Sequence, residues 1–176
     1  MKLKTNKRTN KNSGFSLTEL LVAISILGIL SSIALPNYLR QIKKTRQNEA
    51  SVTLSQLQQK LASYTDEYKV APDSWKALSD YALIMTSSGP ATEDNFLSPA
   101  EITLPGESYT VATTTTATDL YFFEASPSDS KAKDEGYNVM ACVDLNNGAT
   151  DIRKGPINRS DQYTSPAVNE NDLRCR

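Results

Sequence analysis

Three residues near the N-terminus, Gly14, Phe15 and Glu19, have types and spacing that could support chemistry at a chain end. Gly14 is a small residue between a basic leader and an apolar stretch, so cleavage after it would remove the leader and keep the stretch. Cleavage would free the amino group of Phe15, which is mostly protonated at neutral pH because its unperturbed pKa is about 7.7–8.0. Glu19 is the one ionisable residue of the apolar stretch, and such residues are functional candidates. The expected chemistry is cleavage at Gly14–Phe15 and pairing of a carboxylate with an amine.

The apolar stretch after this bond comprises 21 residues, 15–35. As a helix it would span about 31 Å, which is close to the hydrocarbon thickness of a bilayer. The leader, residues 1–14, has no acidic residue and five basic ones, Lys2, Lys4, Lys7, Arg8 and Lys11. The positive-inside rule places this leader in the cytoplasm. The pattern predicts a single-pass membrane protein whose C-terminal part lies beyond the membrane.

The residues around the cleavage bond resemble a known family. Residues 13–22, Ser-Gly-Phe-Ser-Leu-Thr-Glu-Leu-Leu-Val, are similar to the cleavage and methylation signature of type IV pilins and type II secretion pseudopilins. Residues 33–38 are similar to the stretch that closes the membrane segment in those proteins. The resemblance implies that a prepilin peptidase cuts the Gly14–Phe15 bond and methylates the new amino group of Phe15. Ser13 and Thr18 depart from the family pattern, in which a basic and an aliphatic residue are more common.

Two interpretations of Glu19 stay open at this point. After cleavage, Glu19 is the fifth residue and lies about 6 Å below the start of the helix, so its carboxylate could simply reach the lipid headgroups. Alternatively, it neutralises the Phe15 amine of a neighbouring subunit and thereby sets the axial stagger of an assembly. We predict the second, with Phe15 and Glu19 as the assembly residues.

The composition argues against catalysis. The chain has no histidine and only two cysteines, which excludes His-based triads and most zinc sites. The sequence has no glycine-rich phosphate loop or Gly-x-Ser-x-Gly motif, so we predict neither an enzyme nor a cofactor. Acidic residues outnumber basic ones after residue 69, which disfavours direct nucleic-acid binding. A calcium loop at residues 144–148 stays open as an alternative, although the segment is one residue short and lacks the closing Glu.

A second helical pattern follows the apolar stretch. Apolar residues recur at steps of three and four, and no Gly or Pro interrupts residues 37–71 before Pro72. We expect one stripe of this amphipathic helix to pack on a C-terminal head rather than form a separate coiled coil; it consists of Ala50, Leu54, Leu57, Leu61, Tyr64 and Tyr68. The predicted domains are a cleaved leader, a membrane and assembly helix at 15–36, and a head at 37–176 that includes the helix half 37–68.

The rest of the head predicts a small sheet. Residues 72–108 are expected to form an irregular connector with a short helix within residues 74–85. Alternating stretches predict three strands, at residues 108–114, 120–124 and 137–144. Asn-Asn-Gly at 146–148 predicts a hairpin with a type I′ turn and a short fourth strand near 149–153, and residues 125–136 are expected to be a polar loop. The predicted fold is α+β and type IV pilin-like, with a long N-terminal helix packed on a three- to four-stranded antiparallel sheet.

The two cysteines, Cys142 and Cys175, are predicted to form a disulfide outside the cytoplasm. The bond would attach the C-terminal tail to the third strand, because the enclosed segment has few apolar residues that could attach it by packing. Two unlinked thiols are the alternative.

Two further features of the helix carry predictions. Gly28 and Pro36 should weaken it, since proline offers no amide hydrogen to the carbonyl of Ser32. We expect a kink there and partial unwinding on assembly, with the hydroxyls of Ser31 and Ser32 available to freed carbonyls. A basic cluster after the membrane segment is expected to contact headgroups or neighbouring subunits; it consists of Arg40, Lys43, Lys44 and Arg46.

Together these inferences predict a structural subunit of a type IV pilus that is made as a prepilin and forms a homopolymer. The alternative within the family is a type II secretion pseudopilin or minor tip pilin. The alternative outside it is a bitopic membrane-anchored binding domain that does not polymerise. The expected partners are other subunits, the prepilin peptidase and the inner-membrane assembly machinery. The head is expected in the periplasm before assembly and in a cell-surface pilus afterwards.

Overall fold

A computed structural model describes residues 15–96, 101–117, 119–157 and 167–175. The chain divides into two compact units, of which one ends at Arg40 and the other begins at Gln41. Helix α1, Leu17–Tyr68, contributes residues to both.

Among the described residues of the first unit, α1 has no apolar partner. Every large apolar side chain from Phe15 to Leu39 is at least half exposed, with a minimum of 50% at Leu39. The segment is helical nevertheless, because an α-helix satisfies its interior backbone groups through its own hydrogen bonds. Its apolar surface therefore needs cover that the described residues of this unit do not supply.

In the second unit, α1 buries one stripe of side chains, as the apolar spacing predicts, but only as far as Leu61: Tyr64 is partly buried and Tyr68 is 54% exposed. The buried residues of the helix are Gln47, Ala50, Leu54, Leu57, Gln58 and Leu61. The helix ends at Tyr68, and Lys69 takes a left-handed conformation with φ of 58°. The Lys69 N–H donates to the carbonyl of Thr65 at 2.8 Å and so closes the last turn.

The connector contains more regular structure than predicted. Helix α2, Trp75–Tyr81, begins at Ser74, whose hydroxyl accepts the Ala77 N–H at 3.1 Å. This confirms the short helix, and the side chain of its first residue, Trp75, is fully buried. Two short strands, β1 (Met85–Thr86) and β2 (Gly89–Pro90), then form a hairpin that the sequence pattern did not predict.

The main sheet has five antiparallel strands in the order β3-β4-β5-β6-β7. The strands are β3 (Glu101–Thr103), β4 (Tyr109–Ala117), β5 (Leu120–Pro127), β6 (Val139–Asp144) and β7 (Thr150–Lys154). The α+β fold is thus confirmed, with one strand more than predicted. Strand β3 was missed because three residues are too few for an alternating pattern to be recognised.

Two local predictions about the sheet connections were wrong. Residues 125–136 are not simply a polar loop, since β5 continues to Pro127 and a short helix α3, Ser130–Asp134, follows with Asp129 as its N-cap. The β6–β7 hairpin exists, but its loop is longer than a type I′ turn. The Asp144 N–H donates to the Ala149 carbonyl at 2.9 Å and encloses residues 145–148. Positive φ occurs there at Gly148 (73°) and at neither asparagine, whereas a type I′ turn needs two such residues in succession.

The sheet separates two apolar clusters. Val139, Ala141 and Val143 of β6 face the cluster that contains the buried stripe of α1 and Trp75. The intervening residues, Met140 and Cys142, face a second cluster that includes the C-terminal segment. Strand β6 is therefore buried on both faces, which its continuous run of apolar residues from Val139 to Val143 allows.

Candidate functional site

The start of α1 contains a reciprocal pair of hydrogen bonds between Ser16 and Glu19. The Ser16 hydroxyl accepts the Glu19 N–H at 3.2 Å, and the Glu19 carboxylate accepts the Ser16 N–H at 2.9 Å. This arrangement is a capping box, which satisfies two backbone donors that a helix start otherwise leaves unpaired. Sequence reasoning missed it, although the Ser-x-x-Glu spacing is its known signal.

Thr18 extends this polar group. Its hydroxyl lies 3.0 Å from the Ser16 hydroxyl, so three polar side chains gather within the first turn of an otherwise apolar helix. Phe15, one residue before the cap, is 81% exposed. The structure therefore brings the predicted assembly residues Phe15 and Glu19 together at one helix end, while Gly14 lies outside the described residues.

The apolar part of α1 has the length and composition of a membrane span. An 18-residue window of the helix has a mean hydropathy of 2.1, and none of that window is buried in the protein. A core helix of a soluble protein could have a similar hydropathy but would be mostly buried, so this window is a candidate membrane span.

The weak positions of this segment are both helical in the single chain. Gly28 and Pro36 lie inside α1, and a Cβ added at Gly28 would meet no atom within 4 Å. Pro36 has no N–H that could donate to the Ser32 carbonyl. The Ser32 hydroxyl donates to a different carbonyl, that of Ile29, at 2.7 Å. Unwinding of the segment on assembly stays a prediction.

One member of the predicted basic cluster, Lys43, has partners within its own chain. Lys43 forms an ion pair with Glu135 at 2.7 Å, and its ammonium lies 5.7 Å from the centre of the Tyr137 ring. Its charge is therefore used inside the head, between α1 and the residues after α3. Arg40, Lys44 and Arg46 are exposed.

The C-terminal segment is joined to the sheet by the predicted disulfide. Cys142 on β6 and Cys175 are bonded, with their Cα atoms 6.0 Å apart. Contrary to the expectation of few apolar contacts, Val168 and Leu173 are buried in the second cluster. Asn138 adds two bonds at 2.8 Å, since its amide donates to the Val168 carbonyl and its side-chain oxygen accepts the Val168 N–H. The disulfide is thus one of several attachments.

The possible calcium loop is built as a hairpin loop. One carboxylate oxygen of Asp144 accepts the Asn146 N–H at 2.9 Å and the other accepts the Asn147 amide at 2.8 Å. Among the residues that the structure describes, no group of three or more His, Cys, Asp or Glu side chains is arranged to hold a metal ion.

Comparisons with known proteins bear on the same N-terminal region. Residues 9–35 match the family model described as the prokaryotic N-terminal methylation motif. The chain is 32% identical over 65 residues to the type IV major pilin protein PilA of Myxococcus xanthus, which covers 37% of this chain and 30% of that protein. It is 33% identical over 84 residues to the type II secretion system core protein G of Vibrio cholerae serotype O1, which covers 48% of this chain and 56% of that protein. No solved structure gives a significant match.

The chain therefore carries the N-terminal methylation motif and is similar to both a type IV pilin and a type II secretion protein. This confirms the resemblance predicted from residues 13–22. The chain spans less than a third of the first relative and slightly more than half of the second. The two relatives support a pilin-like structural subunit, and the matches do not decide between its kinds.

Proposed function

We propose that this protein is the structural subunit of a type IV pilus, made as a prepilin, processed at Gly14–Phe15 and polymerised through the first part of α1. The observation that carries the proposal is the apolar segment, which matches the methylation motif, is exposed throughout and has a polar cap at its start. In this proposal residues 1–14 are the removed leader, residues 15–36 are the membrane and assembly helix, and residues 37–176 are the head.

Before assembly, the subunit is stored in the inner membrane with its head in the periplasm. Lipid covers the apolar part of α1, since burial of such side chains contributes about 25 cal/mol per Å² of apolar surface. An oxidising compartment suits the disulfide between Cys142 and Cys175. After assembly, the apolar helices of neighbouring subunits replace the lipid, and the head becomes part of a cell-surface filament.

Processing creates the charge that Glu19 needs. The prepilin peptidase cuts after Gly14 and methylates the Phe15 amine, which keeps its positive charge with one methyl group. The capping box supports this step, because it holds the Glu19 carboxylate on the Ser16 N–H, directly beside the residue that acquires the amine. In the filament, the inner-membrane assembly machinery brings each Glu19 to the Phe15 amine of a neighbour.

Two other parts of the helix serve assembly in this proposal. The segment from Gly28 to Pro36 unwinds when the subunit leaves the membrane, which lengthens the helix because an extended residue rises about 3.3 Å instead of 1.5 Å. Arg40, Lys44 and Arg46 contact headgroups and then acidic neighbours, whereas Lys43 stays paired with Glu135. We propose neither enzymatic activity nor direct nucleic-acid binding.

A type II secretion pseudopilin is the second candidate. The match to core protein G is the observation in its favour, since it extends over 84 residues and covers more of that relative than the pilin match covers of PilA. A bitopic binding domain that never polymerises is the candidate outside the family.

The test is mass spectrometry of the N-terminus combined with filament yield. Sheared surface filaments should contain this protein beginning at a methylated Phe15, and Gly14→Val should stop cleavage because a β-branched side chain replaces hydrogen where the protease approaches. Glu19→Ala should insert in the membrane but give few filaments, whereas Glu49→Ala, an exposed acid on the second part of α1, should assemble normally.

Different outcomes identify the alternatives. Intact residues 1–14 on mature protein, or normal filament yield from Glu19→Ala, would contradict the proposal. Processed protein that stays in the membrane fraction and supports protein secretion would indicate the pseudopilin. Ser16→Ala separates the cap from assembly: it removes the hydroxyl of the capping box but leaves the Glu19 carboxylate, so its filament yield should exceed that of Glu19→Ala.

A further inference from the structure

The hairpin loop between β6 and β7 contains two adjacent residues that can react with each other. In Asn147-Gly148, the backbone nitrogen of Gly148 can attack the side-chain carbonyl carbon of Asn147. The new C–N bond closes a five-membered succinimide ring, and the side-chain nitrogen leaves as ammonia. Water then opens the ring to give aspartate or isoaspartate. Glycine favours this reaction because it has no Cβ to hinder the approach, and the reaction needs no co-reactant except water.

Both reacting nitrogen atoms donate hydrogen bonds to one residue, Asp144. The Gly148 N–H donates to the Asp144 carbonyl at 2.8 Å. The Asn147 side-chain NH₂ donates to a carboxylate oxygen of Asp144, also at 2.8 Å. The attacking nitrogen and the leaving nitrogen are therefore each engaged in a hydrogen bond before any reaction begins.

The remaining side-chain atom of Asn147 is engaged as well. Its oxygen accepts the Ala149 N–H at 2.7 Å. Rotation of the Asn147 side chain towards the attacking nitrogen must therefore break bonds at both ends of the amide. Because Asn147 and Gly148 are exposed, water already reaches the pair, and burial does not explain any protection.

Asp144 is itself fixed by the hairpin. Its N–H donates to the Ala149 carbonyl at 2.9 Å, and its other carboxylate oxygen accepts the Asn146 N–H at 2.9 Å. The adjacent residues Val143 and Thr150 are paired across the β6–β7 ladder. The acceptor groups that hold Asn147 and Gly148 thus belong to the regular sheet rather than to the loop.

We propose that Asn147 is a latent self-modification site and that Asp144 keeps it in the unreacted form. The inference is independent of whether the protein forms filaments. Reaction would also disturb the loop, since a carboxylate at position 147 would face the Asp144 carboxylate where an NH₂ donor had been. Two acceptors with like charge repel each other, so the modified loop would lose the contact that had delayed its modification.

The test follows the modification in the full-length protein in detergent micelles at pH 8 and 37 °C. Peptide mass spectrometry measures the mass increase of about 1 Da and the isoaspartate at position 147, with the same protein reduced and unfolded in urea as the reference. Two hydrogen bonds to Asp144 should slow the folded wild type about tenfold or more relative to urea. Asp144→Ala, which removes the carboxylate, should react several-fold faster than the wild type, whereas the control Asp129→Ala should react at the wild-type rate.

Two results would overturn the proposal. A folded wild type that reacts as fast as the unfolded chain would show that the loop gives no protection. An Asp144→Ala protein that reacts at the wild-type rate or more slowly would show that the carboxylate is irrelevant or acts as a base. Fluorescence of Trp75 reports whether each variant is folded; if Asp144→Ala is not, Asp144→Leu has a side chain of similar size without an acceptor, and a wild-type rate in that variant would contradict the proposal equally.

Discussion

The two parts of helix α1 differ in where their apolar side chains lie. From Leu17 to Leu39 the large apolar side chains are at least half exposed, whereas Leu54, Leu57 and Leu61 are at most 1% exposed. Both parts are helical, so the difference is not one of secondary structure. It shows that the second unit supplies the surroundings of the second part from its own residues, while the described residues of the first unit supply none for the first part.

The buried polar groups of the second part support the same conclusion. The Gln58 side-chain amide donates to the carbonyls of Cys142 and Asp151, at 2.6 and 3.0 Å. Gln47 donates similarly to the carbonyls of Asn138 and Gly155. These bonds fix the helix against β6 and β7, since a buried amide without partners would cost about 1–3 kcal/mol.

The largest predicted effect tests this comparison directly. Leu54→Ala should lower the free energy of unfolding of the head by about 4 kcal/mol, because it leaves a cavity beneath a fully buried side chain. Leu27→Ala, at a position that is 62% exposed, should leave it unchanged. Denaturation of the full-length protein in detergent, followed by fluorescence of the single and buried Trp75, measures both. Equal losses in the two variants would contradict the comparison.

The second prediction asks how far the head depends on its disulfide. The bond spans a sequence separation of 33 residues, and Cys175→Ser should lower the free energy of unfolding by about 3–4 kcal/mol in the chain-entropy estimate. The tail should nevertheless stay on the sheet, because Val168 and Leu173 are buried and Asn138 binds Val168. Hydrogen exchange measures this: the Val168 N–H should remain protected in Cys175→Ser, and its full loss of protection would show that the disulfide acts alone.

The parts of the fold that the sequence predicts well are those with a sustained period. The stripe from Ala50 to Leu61 repeats over several turns, and the residues of β4 alternate between buried and partly buried from Tyr109 to Thr113. Strand β3 and the hairpin of β1 and β2 were missed because two or three residues carry no period, and their pairing depends on distant strands. The C-terminal attachments were underestimated for the same reason, since Val168 and Leu173 are isolated apolar residues in a polar segment.

The candidate site shows a similar division. The Gly-Phe junction and Glu19 could be found from local residue types, and the resemblance over residues 13–22 is confirmed by the match to the methylation motif. The ion pair of Lys43 with Glu135 could not be predicted, because the two residues are far apart in sequence and meet only through the packing of α3. The capping box was predictable from the spacing of Ser16 and Glu19 but was overlooked, because Glu19 was considered only for contacts with headgroups or with a neighbouring subunit.

A third prediction concerns a buried group that the head leaves without a partner. Thr113 of β4 is 0% exposed, and its hydroxyl has no hydrogen-bond partner among the described residues. Thr113→Val keeps the branched shape and removes the hydroxyl, so it should raise the free energy of unfolding by about 1 kcal/mol. Thr110→Val, at a partly exposed position on the same strand, is the control and should change it little. A loss of stability in Thr113→Val would show that the hydroxyl has a partner in solution.

The smallest predicted effect concerns Asp151 of β7 and is lost at acidic pH. Partial burial acts to raise the pKa of its carboxyl, but hydrogen bonds from Arg153, the Arg174 N–H and the Ile152 N–H outweigh it and hold the pKa below its ordinary value. A carboxyl with a lowered pKa in the folded state stabilises the protein above its unfolded pKa of about 3.9, and this contribution is lost as the pH falls through the folded value. Asp151→Asn should therefore be less stable than the wild type at pH 7, with a difference that shrinks as the pH falls below about 4.

Arg153→Gln, which removes the ion pair but leaves the Arg174 N–H bond, should show a smaller difference of the same sign. Urea denaturation between pH 7 and 3 measures both differences, and a difference for Asp151→Asn that is independent of pH would mean that Asp151 contributes through packing and not through its charge.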